Sequence, residues 1–213
     1  MYLPAHFSET RPDVLHALMR EQSFATLVSH GEGRLTADHL PLRLAADGVR
    51  LLGHVARANP LWREAAGKEV LAIFHGPQAY VSPSWYPSKH ANGKAVPTWN
   101  YLAVHAHGVL TIIDDPQRLR SLLDDLVDHH EKEFALPWRV SDAPADYIGK
   151  MLGAIVGIEI TIAALEGKWK TSQNQPDANR AGVVAGLRQR ATDDASAMAA
   201  LVAATLTDSG KPA

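Results

Sequence analysis

Arg57, Ala58 and Asn59 fall where the segment GHVARANP changes character, a strand-like run giving way to Asn-Pro and then to a helical pattern. An arginine beside backbone N–H groups at the start of a helix is chemistry for an anion, phosphate above all. The bland alternative is a surface arginine that braces the turn. A second concentration of donors lies in KWKTSQNQP, where Lys170, Ser172, Gln173 and Asn174 could wrap an anion or a polyhydroxyl chain. The same residue types also populate ordinary solvated turns.

Between Gly76 and Tyr101 the chain places two of its five Trp and three of its five Tyr around a Pro-rich loop that carries Lys89. Indole and phenol rings give apolar area while their N–H and O–H groups still need partners, which suits the wall of a concave site. Trp85, Tyr86, Lys89, Trp99 and Asn100 are candidates for that wall, with core or interface packing as the alternative. His39 and Leu40 precede Pro41 in one strand and His54 ends another. Each is a candidate neighbour for a flat ligand, or simply a strand residue. Asp38 beside them would have to point away from an anionic ligand, as strand alternation allows.

The chain has eleven His, and His105 and His107 share a strand face at i, i+2 spacing. Two ligands do not make a metal site. HHEKE at His129 to Glu133 is followed by Phe134, where a zinc-protease motif requires its second His. No metal site is expected. GxSxG, Walker and GxGxxG patterns are missing, so nucleophilic catalysis independent of a cofactor has no signature here.

The elements that must position these residues follow from periodicity. Thr10 caps a helix that has Pro12 in its first turn and Val14, Leu15, Leu18 and Met19 as its stripe. FATLVSH, RLTADHLPLRL and VRLLGH read as strands separated by Gly31-Glu32-Gly33 and Asp47-Gly48 turns, with Pro41 at an edge or bulge. Asn59-Pro60 caps a helix. EVLAIFH, QAYVS, TWNYLAVHAHG and VLTIID read as central strands, the aromatic stretch between them as loop, and GAIVGIEITIAALEG as a final strand. Asp115-Pro116 starts a helix with Leu119, Leu122, Leu123, Leu126 and Val127 on one face. A helical piece covers Tyr147 to Leu152, and two Ala-rich helices cover Arg180 to Leu206 before a frayed tail from Thr207 to Ala213. Six to eight strands with few helices predict a mainly β, α+β protein built as a small barrel. The division is residues 1–177 as one domain, with 178–213 a helical C-terminal extension of it.

At 213 residues, 46% hydrophobic and 21% charged, the chain can bury a core. Having no Cys, it has no disulfide or thiolate chemistry and suits a reducing compartment, with the cytoplasm the expectation. Nothing resembles an export signal or a membrane span. A net charge of −2 gives no field to attract a polyanion, which argues against direct DNA binding, and Arg180, Arg188 and Arg190 read as a solvated helix face.

AYVSPSWYPSK (Ala79 to Lys89), VPTWNY (Val96 to Tyr101) and GKWKTSQNQP (Gly167 to Pro176) resemble the PaiB family of FMN-binding negative transcriptional regulators, and the similarity runs from Met1 to about Leu187. The resemblance implies a split β-barrel of the pyridoxamine-phosphate-oxidase type, a homodimer, and FMN near the subunit interface. FMN asks for phosphate donors and a flat slot. On this resemblance the cofactor contacts are His39, Leu40, His54, Arg57, Ala58, Asn59, Trp85, Lys89, Trp99, Asn100, Lys170, Ser172, Gln173 and Asn174, with no catalytic residue assigned. The function implied is a flavin-binding regulator or sensor that does not itself read DNA. Three alternatives stay open: an FMN-dependent oxidoreductase using NAD(P)H on a small molecule, a haem-binding relative with an axial ligand among His39, His54, His105 and His107, and a direct DNA-binding repressor.

Overall fold

The computed structural model describes residues 1–31 and 33–208. Glu32 of the first turn and residues 209–213 of the expected tail lie outside the described residues. Contacts divide the chain into two compact units. One comprises Met1–Leu15, His75–Val104 and the chain from Glu166 onward, and the other His16–Phe74 and His105–Leu165.

The strands are β1 (Ser8–Glu9), β2 (Phe24–Gly31), β3 (Arg34–Pro41), β4 (Arg43–Leu44), β5 (Arg50–Ala56), β6 (Glu69–Val81), β7 (Thr98–Ile113) and β8 (Ile155–Lys170). They form one sheet in the order β3-β2-β6-β7-β8-β5-β4, with β1 paired to β8. β2 and β3 pair antiparallel with Thr26 opposite His39 and Phe24 opposite Pro41. Pro41 thus ends an edge strand, where its missing N–H costs no ladder bond. β5 pairs antiparallel with β8, placing His54 opposite Gly157.

Two expectations of paired short strands are corrected. EVLAIFH and QAYVS are one 13-residue strand, and TWNYLAVHAHG and VLTIID one 16-residue strand. The apolar pattern breaks at His75-Gly76-Pro77 and at Gly108, but the backbone stays extended, since Pro φ suits a strand. At Gly108 a side chain would strike the Thr161 carbonyl, so the pattern breaks because the chains approach closely there. β6, β7 and β8 each give residues to both units.

The helices are α1 (Pro12–Glu21), α2 (Leu61–Glu64), α3 (Pro87–Asn92), α4 (Pro116–Glu131), α5 (Ala145–Gly153), α6 (Asp177–Arg188) and α7 (Asp193–Asp208). Leu15, Leu18 and Met19 of α1 are buried as its stripe predicts. Asp115 caps α4 by accepting from the Arg118 N–H at 2.8 Å, and Leu119, Leu122 and Leu126 pack with Ile113. α3 was expected as loop. Its signals are nonetheless local, Pro87 at the first position and Gly93 in the left-handed region (φ 69°) just past the end. α7 continues through Thr207 and Asp208, which the sequence places in the tail.

In the first unit α6 packs on the Pro83–Trp85 turn. A β-carbon at Gly182 would meet the Trp85 carbonyl, and one at Gly186 would enter the Trp85 ring. Two glycines one turn apart therefore let the helix lie directly on the indole. The second unit centres on Leu27, Leu42, Leu51, Phe74, Leu110, Ile158 and Ile160, all buried.

Candidate functional site

The second unit holds the arginine turn. β5 ends at Ala56, and Arg57 is fixed from three sides: its Nε donates to the Gly153 carbonyl at 2.9 Å, and Nη2 to the Ile155 carbonyl at 3.0 Å and to Asp114 at 2.6 Å. The Asp114 carboxylate holds the guanidinium's pKa above its ordinary value, and Arg57 holds that of Asp114 below. Asp114 is half-exposed (52%). Such a pair is screened by solvent, and a more highly charged anion can displace the carboxylate while both carbonyl bonds keep the guanidinium in place. The bracing contacts expected of a surface arginine and the posture expected of an anion ligand coexist here.

Asn59 accepts from the Leu61 N–H at 2.8 Å, capping α2, and donates to Asp38 at 2.6 Å. Its side chain is thus committed to local structure, while Ala58 is exposed. Trp62 donates to the Arg57 carbonyl at 3.0 Å, and its ring lies under Arg63 (4.3 Å) and near Arg57 (5.9 Å). Two guanidiniums thus flank one indole.

His39 is exposed and its Nδ1 lies 3.1 Å from the Thr26 hydroxyl, a side-chain partner rather than the backbone one expected of an ordinary strand His. Leu40 is buried as core. His54 is different. Its Nδ1 is buried with no hydrogen-bond partner among the described residues, and burial lowers its pKa. A buried ring nitrogen left without a partner is uncommon and calls for a donor or acceptor that the described residues do not supply.

In the first unit, Asn100, Lys170, Ser172 and Asn174 line one cavity of about 320 Å³ together with Phe7, Tyr86, Ser88, Lys94, Thr98 and Gln175. Strand alternation selects Asn100 over Trp99. Thr98 and Asn100 face the cavity, while Trp99 is 53% exposed and stacks edge-on with Tyr80 at 6.1 Å. Asn100 is fully buried, and its amide donates to the Ser172 hydroxyl at 2.8 Å. Its carbonyl oxygen accepts nothing among the described residues. Ser172 holds φ 63°, unusual for a non-glycine residue and common where a site fixes its backbone. Lys170 donates to Thr98, and its pKa is lowered by burial and then by Lys168.

Gln173 does not line the cavity. It accepts from the Thr171 N–H at 2.7 Å and donates to the Trp169 carbonyl, tying the turn that presents its neighbours. Lys89 reaches Ser84 at 3.0 Å. Trp85 is taken up by α6 as described. Tyr86, a candidate wall residue from the sequence, does line the cavity, whereas Phe7, Ser88, Lys94 and Thr98 escaped the sequence reading. The alternation that points to Asn100 also points to Thr98, and the signal for Ser88 was hidden in a helix read as loop.

FMN needs phosphate donors and a polar edge for its ring system. Arg57 on its carbonyl mounts, with exposed Ala58 beside it, fits the first need, and the His54 nitrogen is a buried polar atom without a partner among the described residues.

The family model "Putative FMN-binding domain" matches residues 1–164. The chain is 32% identical over 205 residues to protease synthase and sporulation protein PAI 2 of Bacillus subtilis, covering 95% of this chain and 96% of that protein. It is 34% identical over 242 residues to an uncharacterized protein of Emericella nidulans, covering 95% and 96%. Among solved structures, an FAD and heme binding protein of Mycobacterium smegmatis matches at TM-score 0.60 and 18% identity, over 76% of this chain and 73% of that one. The flavocytochrome Anf3 of Azotobacter vinelandii matches at 0.58 and 13%, over 76% and 69%. These two likenesses concern the fold, a split barrel, as the sequence resemblance implied. By the family match and the identity along nearly its whole length, the chain belongs to the PaiB family of FMN-binding split-barrel proteins.

Proposed function

We propose that the protein is a flavin-binding regulator or sensor, with FMN phosphate taken by Arg57 beside the exposed Ala58, and that it acts without reading DNA itself. The observation that carries this reading is the Arg57 guanidinium, pinned by two main-chain carbonyls with only a half-exposed carboxylate to give up. Bound FMN would supply redox-active and light-absorbing chemistry. The chain's own part is to hold the phosphate and shield the group from water. A net charge of −2 supports indirect regulation, because DNA-reading domains ordinarily carry a basic face. A homodimer in the cytoplasm belongs to the same reading. Among the described residues no helix is long and apolar enough to cross a membrane.

The test is an FMN titration of flavin-stripped protein followed by quenching of flavin fluorescence. Replacing Arg57 by Ala should weaken binding by roughly tenfold or more, as loss of a charge-assisted phosphate contact does. Equal affinity in variant and parent would remove Arg57 from the site. Bleaching of the bound flavin by NAD(P)H, restored by an acceptor, would instead place the protein among oxidoreductases.

A further inference from the structure

The cavity of the first unit has a donor set that the phosphate site at Arg57 leaves unused, although the family resemblance counted Asn100, Lys170, Ser172 and Asn174 among the flavin contacts. Lys170 and Lys94 contribute two ammonium groups, and no Asp or Glu lines it among the described residues. A ligand carrying an anionic group would therefore find cations not already neutralised by a neighbouring acid. Thr98 and Ser172 add hydroxyls, and Asn174 and Gln175 add amides. The opposite requirement comes from Asn100. Its amide is spent on Ser172, and its buried carbonyl oxygen lacks a donor, a costly arrangement that a ligand N–H or O–H would relieve.

The cavity is also built to persist. The Asn179 amide donates to Ser88 at 3.0 Å and to Gln175 at 3.0 Å, while the Asn179 carbonyl accepts from the Ser88 N–H at 3.3 Å. Two lining residues are thereby tied to α6. A volume of about 320 Å³ lies at the low end of small-molecule pockets.

We infer that this cavity is a second ligand site, distinct from that of FMN, for a small oxyanion that also carries a hydrogen-bond donor: a hydroxycarboxylate or a phosphorylated polyol, its anion at Lys170 and Lys94 and its hydroxyl on Asn100. In a flavin-binding sensor such a site would admit the sensed molecule.

The experiment is calorimetric titration of the full-length protein, stripped and FMN-loaded, with inorganic phosphate, glycerol 3-phosphate and glycerate. Glycerol 3-phosphate or glycerate should bind saturably and more tightly than phosphate, and which of the two wins assigns the anion. Lys170→Gln should weaken that binding by roughly tenfold, as loss of a charged hydrogen bond does. Lys94→Gln, at an exposed loop position, should weaken it severalfold with melting temperature unchanged, which keeps the test valid if the buried variant folds poorly. Three results overturn the proposal: no saturable binding of any probe, binding indifferent to Lys94 and Lys170, or strict competition with FMN. The last would make the cavity part of the flavin's own site. Arg57→Ala should leave probe binding intact, so the two readings fail separately.

Discussion

At the scale of single residues, the side chains that matter are those whose polar atoms the fold leaves unsettled. His54 is one. Its folded pKa lies below the usual 6.5 because burial disfavours the imidazolium. The unfolded chain therefore takes up the proton first as pH falls. Stability from this group is complete above 6.5 and is lost as pH drops from 6.5 toward the lowered value. Melting temperature recorded against pH should fall through that window, and His54→Gln should flatten the decline. An unchanged slope would mean that other groups govern it. Arg57 is the contrary case, its guanidinium held by Gly153, Ile155 and Asp114. Its bonds to Gly153 and Ile155 mean that Arg57→Ala will also loosen the start of β8, so flavin retention has to be compared at temperatures where both proteins are folded.

At the scale of elements, α6 rests on Trp85. Gly186 lies against the indole with no room for a methyl group. Gly186→Ala should cost about 1–3 kcal/mol by overpacking, despite the better helix propensity of Ala. A melting temperature lower by several degrees would bear this out. A rise would show that α6 can shift away from Trp85. This contact also explains what the sequence could and could not reveal. α1 and α4 announced themselves by periodicity, and α4 also by its Asp115 cap, because their burial follows a regular stripe. Trp85 offered no such guide, since an aromatic in a Pro-rich loop reads equally as a ligand wall or as a seat for a distant helix. Asn100 and Trp99 were both candidates until the alternation of β7 set them on opposite faces. Gln173 looked like a donor to a ligand, yet its amide closes its own turn, a distinction that depends on the conformation of Thr171 to Gln175.

At the scale of the whole molecule, family membership makes the chain an FMN-binding protein, and a net charge of −2 supports the proposal that regulation passes through a ligand or partner. A labelled promoter fragment should show no salt-sensitive shift at low ionic strength. A shift that collapses as salt rises would revive direct DNA reading. Light scattering should give twice the chain mass if the protein is a dimer, and a single-chain mass would oppose that part of the proposal. The most direct measurement is the absorption spectrum of freshly purified, tag-free protein, with any chromophore released by denaturation and identified by mass. The account predicts FMN close to one per chain. A colourless protein that also fails to take up added FMN, or one that releases haem instead, would contradict it.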